Sequence, residues 1–257
     1  MIKDKHIAVW FSCGAASAVA AKLTLEIYGK GNKISIVNNP IQEEHSDNQR
    51  FLKDVESWLG HPIEFAISSK YPSQACEDVW EKRRFMAGPM GAPCTLELKK
   101  KARQEWEEIN KPDYTVLGFT SEEGKRADRF RLTERDTLLT PLIDLNYNKQ
   151  MCFDVLVNAG VDLPEIYKLG FPNANCIGCV KASSSTYWNL VREKFPEVFN
   201  ARAEMSERLG ANLVWYKGKR IQLVDLPADA KGRKLKDYDF ECGLFCEENP
   251  EDETPKR

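Results

Sequence analysis

Eight cysteines carry the most chemistry in this 257-residue chain: Cys13, Cys76, Cys94, Cys152, Cys176, Cys179, Cys242 and Cys246. Cys176-Ile177-Gly178-Cys179 is a CxxC pair whose spacing lets both sulfurs face one metal or cluster. Cys242 and Cys246 belong to a second short motif, Glu241-Cys242-Gly243-Leu244-Phe245-Cys246, and Cys94 is a fifth candidate. A [4Fe–4S] cluster takes about four thiolates, and a structural Zn²⁺ takes the same number, so the cysteine count does not separate them. A thioredoxin-like redox pair would open a helix after a strand, whereas Cys176 follows the irregular, Asn-rich stretch FPNAN. Cys76 and Cys152 have no cysteine neighbour in sequence and read as small buried hydrophobes. The N-terminal stretch MIKDKHIAVWFSCGAAS lacks the apolar core and cleavage site of a secretory signal. A cytoplasmic, reducing location is therefore expected, which argues against a disulfide framework and for metal or redox chemistry.

A second constellation is built from small residues. Ser12-Cys13-Gly14-Ala15-Ala16-Ser17 follows an apolar run and precedes a helical pattern. A small-residue turn there exposes backbone N–H groups beside a helix N-terminus, which binds phosphate through donors and the helix dipole. The two serines add hydroxyls. The stretch is neither GxxxxGK[ST] nor GxGxxG, and such a turn also serves helix–strand packing; both readings stand. Arg126, Arg129 and Arg131, within EEGKRADRFRLTERD, offer guanidinium forks for phosphate or sulfate oxygens. The alternative is a solvated loop carrying charges of both signs. Lys99, Lys100 and Lys101 read first as a solvated helix face. His6, His45 and His61 have no paired metal spacing. Glu43, Glu44 and Asp47 stand where Mg²⁺ could be approached, although acids ahead of a helix also serve its dipole.

The elements that must position these residues alternate. Residues 7–12 (IAVWFS), 34–38 (ISIVN), 63–67 and 114–119 (YTVLGF) read as strands. Residues 16–28, 48–59 and 98–109 read as helices, with stops near Gly29 and Gly31 and at Gly60, and an N-cap at Ser46. This alternation predicts right-handed βαβ units and a parallel sheet, with ligands bound beyond the strand carboxyl ends. The loops after Ser12, Asn38 and Phe119 are thus expected to line one site. Short helices at 150–159 and 164–169 follow, then the loop FPNANCIGC, helices at 184–194 and 196–209, and a hairpin within 213–226 turning at Lys217-Gly218. The tail is polar apart from FECGLFC, and residues 247–257 read as disordered. The fold class is α/β: a nucleotide-binding core over 1–145, a helical CxxC-containing extension over 146–227, and a tail over 228–257.

On these residues the sequence resembles the PP-loop superfamily of ATP pyrophosphatases and phosphoadenosine phosphosulfate (PAPS) reductases, and within it the iron–sulfur-containing, PAPS reductase-like branch. SCGAAS stands where the superfamily has SGGxDS; the first serine, a glycine and the last serine are kept, and Ala16 replaces the aspartate. Residues 38–47 and the helix after them occupy the place of an acidic loop and helix. Cys94-Thr95-Leu96-Glu97-Leu98-Lys99 resembles C-T-x-x-L-K. Residues 118–123 (GFTSEE), with Arg126 and Arg129, resemble the strand-end G-x-x-x-E-x-x-R element. The resemblance spans about residues 7–180.

This resemblance implies a Rossmann-like parallel sheet. It implies an adenine nucleotide held by Ser12, Cys13, Gly14, Ala15, Ala16, Ser17, Asn38, Gly118, Arg126 and Arg129, with ATP and Mg²⁺ as its cofactors. It implies a [4Fe–4S] cluster on Cys94, Cys176 and Cys179, with the remaining ligand drawn from the tail, Cys246 ahead of Cys242; Zn²⁺ is the alternative. Glu241-Cys242-Gly243-Leu244 matches the PAPS reductase E-C-G-[LI]-H motif, with Phe245 at the histidine, and so implies Cys242 as a nucleophile. Lys231, Arg233, Lys234 and Lys236 would favour its thiolate.

The implied activity is an ATP pyrophosphatase that adenylates an acceptor for iron–sulfur-dependent sulfur transfer. The acceptor would be nucleic acid, in DNA phosphorothioation or tRNA thiolation, and a cysteine desulfurase would supply the sulfur. The alternative is a PAPS or adenosine phosphosulfate reductase that releases sulfite from Cys242 with thioredoxin. A third reading is a non-catalytic nucleotide-binding subunit, and a homo-oligomer fits any of the three. A net charge of −2 excludes a uniformly basic nucleic-acid coat but not a local basic groove. No apolar run approaches the ~18 residues of a membrane span, so no membrane partner is expected.

Overall fold

The computed structural model describes residues 2–88, 91–134 and 136–235. They form two compact units. One comprises Met1–Pro40, Ser46–Ser69 and Ala102–Lys168, and the other Ile41–His45, Lys70–Lys101 and Leu169–Arg257. The units interleave along the chain, where the sequence reading drew contiguous segments at 145 and 227. Long-range packing, rather than the order of motifs, decides membership.

The first unit is built on β1 (His6–Phe11), α1 (Ala15–Tyr28), β2 (Lys33–Asn38), α2 (Asn48–Leu59) and β3 (Ile63–Phe65). The chain returns to it for most of α4 (Lys101–Asn110), then β4 (Tyr114–Val116), α5 (Gly124–Thr133), β5 (Leu138–Leu139), α6 (Pro141–Asp144), α7 (Lys149–Asn158) and α8 (Glu165–Lys168). The five strands form one sheet in the order β3-β2-β1-β4-β5, every pair parallel. β1 is central because HIAVWF is apolar on both faces, and all six residues are buried. Its register runs from His6 opposite Lys33 to Phe11 opposite Asn38, which aligns the carboxyl ends of β1 and β2. The chain leaves β1 toward β2 and later returns on the other side as β4. The gap between β1 and β4 is therefore the topological switch point, where a parallel sheet opens a crevice for ligands.

Local signals explain the elements and their differences from expectation. α2 stops where Gly60 takes a left-handed φ of 61° and its N–H caps the Glu56 and Ser57 carbonyls. Asp47, not Ser46, is its N-cap residue, and Asp47 turns its carboxylate to Arg50 instead of capping. Residues 124–133, whose alternative reading is a solvated charged loop, form α5, anchored by buried Ala127 and Phe130. β4 and β3 are shorter than the apolar runs that signalled them. β5 has only two residues, too few for a periodic signal.

The second unit contains α3 (Cys76–Arg83), a π-helical turn over Thr95–Lys100, α9 (Ser185–Lys194), α10 (Pro196–Arg208) and a hairpin of β6 (Val214–Tyr216) and β7 (Lys219–Ile221). Tyr187, Trp188 and Phe199 form its buried aromatic centre, with Val191 buried on the same helix as the first two. The hairpin turns at Lys217 and Gly218, both with positive φ, which the Lys-Gly pair signalled. Among the described residues no helix is long and apolar enough to cross a membrane.

Candidate nucleotide loop and cysteine cavity

In the first unit, β1 ends at Phe11 and the chain turns through Ser12–Gly14 into α1. Ser17 closes the turn: its Oγ accepts from the Ser12 N–H at 3.1 Å and donates to the Gly14 carbonyl at 2.9 Å. The Ser12 Oγ donates to the Ser17 Oγ at 3.2 Å, so both serines face one point of the loop. Cys13 takes a left-handed φ of 55° and is buried. A side chain in that left-handed conformation is strained. Asn38 ties the next strand to this turn, donating to the Phe11 carbonyl at 2.8 Å and to the Cys13 Sγ at 3.5 Å.

Gly118, just past β4, has a packing role. A Cβ on it would lie 2.7 Å from the Ser17 nitrogen and 2.8 Å from the Ser17 Cα. Only glycine lets the β4 end approach the first turn of α1. The residues Ser12, Cys13, Gly14, Ala15, Ala16, Ser17, Asn38 and Gly118 therefore meet at the switch point. Arg126 and Arg129 lie on α5. Arg126 pairs with Glu123 at 2.6 Å and stacks 5.1 Å over the Phe119 ring, and Arg129 is exposed.

Tyr167, on α8, escaped the sequence reading. Its phenol oxygen accepts the Ala15 N–H at 3.4 Å and would sit 3.5 Å from a Cβ on Gly14. A hydroxyl thus stands on one of the N–H groups an anion would use. No local pattern marks Tyr167; it is brought over the turn by Arg50, which binds the Asp162 and Leu163 carbonyls, and by Asp47, which accepts from the Glu165 N–H at 2.8 Å.

The second unit gathers sulfur. Cys76, Cys94, Cys176 and Cys179 are buried and line one cavity with Ile41, Trp80, Lys99, Lys181 and Arg202 among others. Cys76 is the first residue of α3 and Cys94 the N-cap of the π-helical turn, so both stand at the positive end of a helical segment. Hydrogen bonds to the Cys176 and Cys94 sulfurs, and then burial, hold the Cys76 thiol well above the usual cysteine range. The structure thus brings Cys76, read from sequence as an isolated hydrophobe, to the three cysteines named as ligands. Cys242 and Cys246 lie outside the described residues.

The CxxC turn is fixed by its own glycine and by an aromatic. Gly178 has φ +66°, and a Cβ on it would meet Val198 Cγ1 at 3.0 Å and Arg202 Cγ at 3.3 Å. The Tyr187 hydroxyl accepts the Cys179 N–H at 3.0 Å and donates to the Cys176 carbonyl at 3.4 Å. Burial, then the nearby Cys179, push the Tyr187 phenol well above its usual range, so it stays a neutral donor. The Ile177 N–H completes the turn on the Glu43 carbonyl at 2.8 Å.

Behind Cys94, the π-helical turn buries Glu97 completely. Burial opposes its ionisation, yet Lys101 at 3.1 Å and Arg83 overcome it and hold the carboxyl below its usual range, with Lys70 at 3.4 Å adding charge. Lys99, read as a solvated residue, is buried and pairs with Glu44 at 3.7 Å. The wider turn explains this inversion, because π spacing changes which residues face inward. The carboxylates considered for Mg²⁺ are likewise engaged: Glu43 Oε1 accepts the Glu77 N–H at 3.2 Å, and Asp47 holds Arg50.

No family model matches the sequence, and no curated protein does. Among solved structures, the U34-tRNA thiolase NcsA from Methanococcus maripaludis, solved with its [4Fe–4S] cluster, superposes with a TM-score of 0.50 at 12% identity, covering 81% of this chain and 68% of that one. The chain has the PP-loop fold. A PAPS reductase from Candida auris, in a phosphate complex, matches with a TM-score of 0.46 at 8% identity, over 66% of this chain and 80% of the other. The α/β fold expected from the sequence agrees with the superposition on the thiolase. Ala16, where the sequence resemblance would have an aspartate, is half-buried in the first turn of α1.

Proposed function

We propose that this protein is an iron–sulfur-dependent sulfur-transfer enzyme of the PP-loop type, acting on nucleic acid. The observation that carries the reading is the convergence of Cys76, Cys94, Cys176 and Cys179 on one cavity, in a chain whose other unit presents a phosphate-type turn. The donor set fits a [4Fe–4S] cluster in kind and number: thiols alone, and about four of them. Among the described residues, no group of three or more His, Cys, Asp or Glu is preset around a single metal ion. A thiolase of the same fold contains such a cluster, which supports the same group here. When bound, a cluster would supply a sulfur- or electron-carrying centre held by these four residues.

The chain's own groups do the rest. N–H groups of the Ser12–Ser17 turn and the Ser12 and Ser17 hydroxyls hold the phosphates of ATP at the α1 N-terminus. An acceptor oxygen on a tRNA base or DNA phosphate attacks the α-phosphorus, the bond to the β-phosphate oxygen breaks, and pyrophosphate leaves. A sulfur nucleophile at the sulfide oxidation level, supplied by a cysteine desulfurase with a reductant, then displaces AMP. Electrostatic stabilisation by the turn favours the charge that develops on the leaving pyrophosphate.

Anaerobic protein incubated with ATP and nucleic acid tests this. Release of AMP and pyrophosphate that depends on tRNA or DNA is the expected result. The Glu241-Cys242-Gly243-Leu244 motif favours a second reading, reduction of PAPS at Cys242, and sulfite released from PAPS with thioredoxin would establish that instead. Nucleotide binding with neither turnover would leave the non-catalytic subunit.

A further inference from the structure

Arg202 is an arginine in an unusual position. It lies on α10, is 3% exposed, and lines the cavity of the four cysteines. Its guanidinium stacks 4.7 Å over the Trp80 ring, and its Nη1 donates to Glu77, a residue 48% exposed. Its Nε–H is buried and makes no hydrogen bond with the described residues. Leaving a charged donor buried without a partner costs free energy that a purely structural ion pair has no reason to incur. The Glu77 carboxylate accepts from Nη1, so the unused Nε donor needs a different acceptor.

The cavity's composition identifies the acceptor's class. Among the described residues, its lining carries four sulfurs and three cationic side chains, Lys99, Lys181 and Arg202, and no carboxylate. Such a lining suits an anion of sulfur: thiolates, and the sulfides of a cluster bound to them. N–H donors and nearby positive charge stabilise the reduced, more negative state of an iron–sulfur centre and so raise its potential.

We infer that Arg202 is a positioning residue for the sulfur centre: its Nε–H donates to sulfur held in the cavity, and its charge raises the reduction potential of that centre. This rests on the cluster reading given above. Glu77 acts through Arg202, drawing the guanidinium outward and damping its charge.

The test is a spectroelectrochemical titration of the iron-loaded, full-length protein under anaerobic conditions. Arg202→Met should lower the one-electron midpoint by at least a tenfold change in the reduction equilibrium, about 59 mV. Arg202→Lys, which keeps the charge but loses the Nε donor, should fall between. Glu77→Gln should shift the midpoint upward, a change of opposite sign that a folding defect does not produce. Arg208→Met is the control: Arg208 is on the same helix and pairs with Glu81, but is 49% exposed, and its loss should leave the midpoint unchanged. An unchanged midpoint in iron-loaded Arg202→Met, or in Arg202→Lys and Glu77→Gln together should the first fail to load, overturns the inference while leaving the cluster reading intact. Wild-type protein that takes up no iron overturns both.

Discussion

The two compact units assemble their sites from different materials. In the first, the Ser12–Ser17 turn offers backbone N–H groups, two hydroxyls and almost no side-chain bulk, and its partners Asn38 and Gly118 come from adjacent parallel strand ends. In the second, four sulfurs reach one cavity from the start of α3, the head of a π-helical turn and the CxxC turn. A turn at the switch point of a parallel sheet follows from sheet topology, so neighbouring strands place it together. A cavity of cysteines separated by a hundred residues depends on tertiary packing of short helices. The same residue type therefore means different things in the two units. Cys152, in the first, is a sealed hydrophobe whose thiol is pushed up to about 12 by burial and then by Glu122; Cys76, in the second, stands among other thiols.

The comparison breaks most readily at the cysteines. Cys176→Ser should abolish iron binding and visible absorption, whereas Cys152→Ser should retain both; iron and sulfide analysis of the two variants decides it. Next come the glycines. Gly118→Val should destabilise the first unit by about 1–3 kcal/mol through overpacking against Ser17 and weaken ATP binding, without reducing iron content. Gly178→Val should do the reverse. Denaturant midpoints with parallel nucleotide and iron titrations would check the pair.

Two effects of pH separate the units further. The lowered Glu97 carboxyl contributes stability that is present above the ordinary carboxylate range and is lost as pH falls through its folded value. Glu97→Gln should therefore flatten the acid limb of stability and cost about 1–3 kcal/mol at neutral pH. Cys152 behaves oppositely. Its raised folded value means that stability is full below the unfolded thiol value of about 8.5 and falls as pH rises toward about 12. Cys152→Ala should make the alkaline limb shallower, as read from denaturant midpoints against pH. The smallest expected effect is at Tyr167. Tyr167→Phe removes one long hydrogen bond to Ala15 and should alter stability by about 1 kcal/mol or less, while changing ATP affinity measurably by calorimetry.

Much of the first unit was legible in the sequence. IAVWFS and ISIVN announced the buried parallel strands because both faces of such strands are apolar, and the small-residue stretch between them announced the tight turn from strand to helix. The short β5 and the charged α5 were not legible, since two residues carry no period and α5 hides its two buried anchors among charges. In the second unit, Cys94 and the CxxC pair were legible from spacing and resemblance. Cys76 was not, because nothing local links it to residues 18 and 100 positions away; only the packing of α3 does. Arg202 and Tyr187 are invisible for the same reason. The signal available for Cys76 was that it opens a helical pattern, CEDVWEKR, with acids in the first turn and bases in the last.

The most direct measurement compares Cys76→Ser with Cys246→Ser after anaerobic purification, reading iron and sulfide per chain. Wild type should hold about four irons. With Cys76 as the fourth ligand, Cys76→Ser should lose most of its iron while Cys246→Ser keeps it. Full iron in Cys76→Ser together with loss in Cys246→Ser would contradict the account and return the fourth ligand to the tail.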